Sequence, residues 1–144
     1  MAKETKPKRT APAARPITIT AVVDAVGVLA SDSTEGEVYF YDTNKAAGST
    51  GFGTGELRTK VKRGDQLLWS TIALECEAHV AIAAIDIDSS VCEPQRKVYP
   101  GTDVSFWTAT VKTDLDGAVP YRISFQVGTR TEPITAVQSP SLVG

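Results

Sequence analysis

Period-two alternation dominates this chain. Ile17, Ile19, Ala21 and Val23 alternate with Thr18, Thr20 and Val22 directly after Pro16, the pattern of a half-buried strand. Val26 to Ala30 either continues it or makes a short helical turn, and Ser31 to Gly36 is a turn cluster. Glu37 to Tyr41 reads as a second strand. Leu57, Thr59 and Val61 alternate with Arg58, Lys60 and Lys62, which gives a third strand with one wet, basic face. Arg63-Gly64-Asp65 turns the chain into a strand over Gln66 to Ile72. Ala78 to Ile87 is apolar on both faces, as expected of a central strand between two layers. Asp88 to Gly101, with two prolines, is expected to be a loop, and Asp103 to Lys112 a strand. Asp114 to Gly117 is a turn. Tyr121, Ile123, Phe125 and Val127 then alternate without a fault against polar or small neighbours. Ile134 to Val137 adds a short last strand. Phe106, Trp69, Val80, Ile82, Ile123 and Phe125 are the expected core.

No window holds a helical period, and no repeat recurs. Eight or so short strands separated by turns predict a single all-β domain, an antiparallel β-sandwich of jelly-roll type. The expected boundaries are a basic flexible arm over 1–16, the sandwich over 17–138 and an irregular end over 139–144.

Composition changes this picture little, but charge placement adds to it. Residues 1–16 carry Lys3, Lys6, Lys8, Arg9 and Arg15 against Glu4, a balance of +4. The rest carries ten lysines and arginines against sixteen acids, a balance of −6. A basic arm on an acidic body favours docking on another copy of the same chain, hence a homo-oligomer. At +4 it would hold nucleic acid or an anionic membrane only weakly. No apolar run approaches the ~20 residues of a membrane span. The charged start lacks the apolar stretch of a secretory signal, so the expected location is the cytoplasm, or release by a route that needs no such signal.

Catalytic chemistry finds little support. His79 is the one histidine, which disfavours Ser/His and hydrolytic metal arrangements, and a satisfied buried or edge histidine is expected. Gly55 is followed by Glu56 and a strand, so the glycine-rich stretch is not a phosphate loop. Cys76 and Cys92 lack clustered histidines and should be free thiols. Arg63-Gly64-Asp65 spells an adhesion tripeptide that a tight turn explains equally well.

Binding chemistry gathers at one place. Tyr39-Phe40-Tyr41 runs into Asp42-Thr43-Asn44-Lys45 and then into four glycines within Gly48 to Gly55. A strand so placed delivers polar side chains to the lip of a loop, where binding tends to sit. Asp42 and Asn44, two apart on a strand, are expected to point the same way as metal ligands, beside the carbonyls of the glycine loop. Calcium is the candidate ion, although it takes six to eight oxygens. Asp86 with Asp88 and Asp114 with Asp116 are lesser pairs. Tyr41, Asp42, Asn44, Thr50, Phe52 and Thr54 form the candidate ligand-binding set.

Four segments resemble the AidA/PixA inclusion-body protein family of bacteria. They are Val22-Val23-Asp24, the Tyr41-Asp42-Thr43-Asn44 stretch closed by Gly55-Glu56-Leu57, Gly64-Asp65-Gln66-Leu67-Leu68-Trp69, and the paired runs from Trp107 to Val111 and from Tyr121 to Phe125. The resemblance covers residues 17–128 in outline. It departs from the family in compressed loops after Leu29 and Ile87, and a function housed there does not carry over. The resemblance implies a jelly-roll-like sandwich, intracellular inclusions and, for some relatives, calcium-dependent sugar binding. Two functions are therefore expected: a non-enzymatic, lectin-like carbohydrate-binding protein using calcium, or a self-assembling structural protein with no small ligand.

Overall fold

The computed structural model describes residues 15–144. The expected arm lies almost wholly outside them. The chain runs β1 (Ile17–Val23), α1 (Ala25–Ser31), β2 (Val38–Asp42), a 3-10 turn (Lys45–Ala47), β3 (Arg58–Lys60), β4 (Gln66–Ala73) and β5 (Val80–Asp86). It continues with β6 (Gln95–Val98), β7 (Ser105–Thr110), β8 (Ala118–Pro120), β9 (Arg122–Val127), β10 (Ile134–Thr135) and β11 (Ser141–Val143). Three sheets result: β2-β1-β4-β7-β6, β10-β9-β5 and β3-β11-β8.

Alternation in the sequence becomes inside and outside in the first sheet. Ile17, Ile19, Ala21, Val23, Val38, Phe40, Leu67, Trp69 and Ala109 face inward and are buried. The opposing layer supplies Ile82, Ile123, Phe125 and Val127, and Leu142 completes one continuous core. At its centre the Trp69 and Tyr121 rings meet edge to face, 5.8 Å between centroids, and Trp69 Nε1 donates to Tyr121 Oη at 3.3 Å.

Several expectations need correction. The pairing is not wholly antiparallel, because β1 runs parallel to β4 and β11 parallel to β3. The C-terminal end is not irregular: β11 is the middle strand of its sheet. The loop over 88–101 contains β6, whose four residues are all exposed and which is a strand only through its pairing with β7. β5 is not central but lies at the end of its sheet. Two of its carbonyls are taken by side chains of the opposite sheet: Thr71 Oγ1 donates to Val80 O at 2.9 Å, and Trp107 Nε1 to Ile82 O at 3.0 Å. Phe106 is not core; its ring lies on the outer side, 4.5 Å from that of Tyr99. Of the buried and edge alternatives for His79 the edge one holds: it is exposed, directly before the end strand β5. The open Val26–Ala30 alternative resolves as α1, capped by Asp24, whose Oδ1 accepts Gly27 N–H at 2.9 Å.

Candidate functional site

The stretch from Tyr41 to Gly55 is a closed loop rather than an open lip. Thr50 and Arg58 exchange both backbone hydrogen bonds, and Phe40 N–H donates to Thr54 O while Gly53 N–H donates to Phe40 O. Gly51 makes the fold-back possible. Its φ is +82°, and a Cβ there would lie 2.6 Å from the backbone oxygen of Glu56. The polar side chains turn into the loop itself. Asp42 Oδ1 accepts Asn44 N–H at 2.8 Å, and Asn44 Nδ2 donates to Lys60 O at 2.6 Å. Thr54 Oγ1 donates to Gly51 O. Asp42 and Asn44 therefore do not act as a pair along one strand, since Asn44 stands beyond β2 before the 3-10 turn. Thr50 takes part through its backbone. Phe52 packs against the core with Lys45 Nζ 5.9 Å from its ring centre, and Tyr41 lies beside Gly53.

One oxygen is left over: Asp42 Oδ2 is buried without a hydrogen-bond partner. Among the described residues, no three His, Cys, Asp or Glu side chains gather as a metal would need. Asp88 does not reach outward either. Its Oδ1 accepts the N–H and the hydroxyl of Ser90, and these bonds hold its carboxyl below the usual range. Cys76 is exposed and Cys92 buried, both free; burial pushes the Cys92 thiol up to about 11 despite the pull of Lys112.

What the sequence reading missed is the outer side of the five-stranded sheet. Thr18, Thr20 and Val22 of β1 point outward, as do Leu68, Ser70 and Ile72 of β4 and Phe106, Thr108 and Thr110 of β7. Tyr39 and Tyr41 of β2 join them. None of these is buried, so among the described residues no other layer covers this side. None carries a charge, in a chain with 22% charged residues. Registry sets them in rows: Tyr39, Val22 and Ile72; Tyr41, Thr20 and Ser70; then Thr18, Leu68 and Thr108. Thr20 Oγ1 and Ser70 Oγ are hydrogen-bonded at 3.1 Å. Charge appears at the border, where Lys97 of β6 shares this side because it pairs with Phe106, and where Asp103 lines a cavity with Thr18, Leu68 and Ser70. A cavity of about 420 Å³ lies at the Lys97 corner, between Leu68, Thr108, Gln95 and Lys97.

Charge returns at the two strand ends. Val23 stands opposite both Val38 and Ala73, so Asp24, Glu37 and Glu75 meet at one end. Glu75 accepts the N–H groups of Ala25 and, more weakly, Val26. A carboxyl–carboxyl hydrogen bond with Glu75, with Gly27 N–H second, lowers the Asp24 carboxyl below its ordinary value. Glu37 moves the other way: desolvation first, then the charge of Asp24, raises its carboxyl. Neither Asp24–Glu37 nor Ala73–His79 contains a lysine or arginine. The far end carries Arg15, Lys45, Lys62, Arg63 and Lys112. Acids stand among them and keep their charge: Asp65 and Asp114 accept the N–H groups of Lys62 and Arg63, Asp42 ends β2, and Glu93 pairs with Lys112 at 3.2 Å, so this end is mixed with its bases in slight excess.

A family model described as a domain of unknown function, DUF8788, matches residues 15–132. No curated protein matches the sequence. The fold is similar to the crystal structure of an inclusion body protein, PixA, from Burkholderia cenocepacia J2315. The TM-score is 0.71 at 17% identity, covering 91% of this chain and 97% of that one. The resemblance read from the four sequence segments thus holds at the level of the fold.

Proposed function

We propose that this chain, which belongs to the DUF8788 family, is a non-enzymatic structural protein that associates with copies of itself. The observation that carries this reading is the uncharged outer side of the five-stranded sheet, which no layer among the described residues covers. Depletion of charge at the centre of a patch, with tyrosines present, is the compositional mark of a protein–protein interface. Its hydroxyls both donate and accept, so the same surface can satisfy itself in a second copy. The structural neighbour is described as an inclusion body protein, which agrees with this reading.

Ser70 stands in the middle row and tests it. In sedimentation, wild type should show an associated species and Ser70→Lys a monomer with an unchanged circular dichroism spectrum. The lysine would bury a charge at the interface centre, and truncating or desolvating such a site costs several kcal/mol, so a loss of more than tenfold in association is expected. If wild type and Ser70→Lys sediment alike, this side is not the association surface.

Sugar binding with calcium is the reading the site supports less well. Its single favourable feature is the unpaired Asp42 Oδ2, one oxygen where calcium takes six to eight. Asn44 and Thr54 already donate within the loop, through Nδ2 and Oγ1.

A further inference from the structure

Resting on the self-association reading, we infer that two copies pack this open side face to face with their strands antiparallel. The acidic end of each sheet then lies over the basic end of the other. The occupant is a second copy of this chain, and two observations point to it.

The first is size. Five strands at a spacing of ~4.8 Å, with β1 seven residues long at ~3.3 Å per residue, give a face of roughly 500–600 Å² per copy. Two such faces reach about 1,100 Å² together, which meets the lower bound of about 1,000 Å² for a specific interface. A small ligand would leave most of that face uncovered.

The second is charge. A two-fold axis along the strands at β4 would stack Glu75 and Glu77 of one copy over the same residues of the other, and would bring Asp24 of β1 over the start of β7, which follows Asp103. Glu37 already sits among like charges within its own chain, and this end as a whole would gain more. A two-fold axis across the strands removes that conflict. It sets this acidic end over Arg15, Lys45 and Lys62 of the second copy. Like charges brought together across an interface cost several kcal/mol, whereas complementary ends fix the register. The uncharged rows between the ends make no demand of their own on direction, so the ends decide it.

The central strand reports the direction, because β4 is third of five and, with the axis at the centre of the sheet, lies over its own copy in either arrangement. Leu68 and Ile72 point outward on it and are four residues apart, about 13 Å. With the axis at Ser70, antiparallel packing puts Leu68 over Ile72 of the second copy. Parallel packing puts Leu68 over Leu68 and Ile72 over Ile72. The experiment uses the full chain with Cys76→Ser, leaving buried Cys92 in place, and adds Leu68→Cys or Ile72→Cys. Each is treated with a bismaleimide of about 8 Å reach, alone and as an equimolar mixture, and sedimentation is run in parallel.

The expected result is a cross-linked dimer several-fold more abundant in the mixture than with either variant alone, falling as salt rises from 50 to 500 mM. Stronger cross-linking of the single variants would overturn the antiparallel arrangement and leave self-association standing. Association without any cross-link would move the interface off this side. A wild-type monomer would overturn both readings. A monomer that dimerises only after residues 1–14 are removed would show that the chain's own N-terminal segment occupies the face, and would overturn the proposal.

Discussion

Glu37 is the residue at which the charges of this fold act against one another. It meets Gly27 so closely that a Cβ there would lie 2.1 Å from Glu37 Oε2, and Asp24 and Glu75 stand on either side. Its carboxyl is raised above the ordinary value of 4.5 by desolvation and then by the Asp24 charge. A group raised in the folded state contributes stability below its unfolded value, and that contribution is lost as pH rises through the folded value. Neutral pH is therefore the costly side for Glu37. Glu37→Gln keeps a hydrogen-bond donor for Asp24 and removes the charge. Its melting temperature should exceed wild type at pH 7, with the gap closing by pH 4; equal melting temperatures at pH 7 would show that the repulsion is solvated away. Asp24 has the opposite sign, since its lowered carboxyl contributes above the ordinary value and less as pH falls. None of this was legible in the sequence, because Asp24, Glu37 and Glu75 meet only once β1, β2 and β4 are side by side. The expectation that Asp42 and Asn44 point the same way along one strand fails for a related reason: β2 ends at Asp42, and backbone N–H and C=O groups of the folded-back loop engage Asp42 Oδ1 and Asn44 Nδ2.

Strands whose alternation carries apolar residues on one face were legible from the sequence, and strands defined by their neighbours were not. β9 is the plainest case: Ile123, Phe125 and Val127 are buried while Arg122 is exposed. Ile123→Ala should cost about 2–5 kcal/mol in denaturant unfolding, from lost transfer energy and the cavity left behind. A loss below about 0.5 kcal/mol would mean that the site collapses without strain. β6 shows the other case. Gln95-Arg96-Lys97-Val98 lacks an apolar face and is held by pairing with β7 alone. β11 is three residues long, too short for a periodic signal, yet Leu142 is fully buried. β5 looked central because both faces are apolar. In the structure it ends its sheet, with Ile82 buried and Val80 and Ile85 packed partly against the core. The open side could have been suspected from the uncharged outward positions of β1 and β4, but only the order β2-β1-β4-β7-β6 gathers them into one surface.

At the scale of the whole molecule, a two-fold interface closes on itself: two copies satisfy each other, and growth stops at a dimer. Larger assemblies require a second surface. Open sheet edges are the usual danger, and this fold covers two of them. Thr71 and Trp107 occupy carbonyls of β5, and the Thr54 backbone pairs with Phe40 along β2. Of the other edge strands, β3, β6, β8 and β10, only β6 has every residue exposed, with Arg96 and Lys97 at its centre. Charged side chains on an edge strand are a common device against edge-to-edge pairing, because a second copy laid antiparallel would set like charges side by side. Lys97 has a double position. It guards that edge, and it is also a charged residue at the border of the open side. Lys97→Thr removes both obstacles while keeping a β-compatible side chain. Light scattering should then show species larger than the wild-type assembly, increasing with concentration. The same variant at an unchanged size would mean that Arg96 alone protects the edge, and Arg96→Thr in the same background would have to release it. If the double variant also stays at wild-type size, β6 is not where this protein extends beyond two copies.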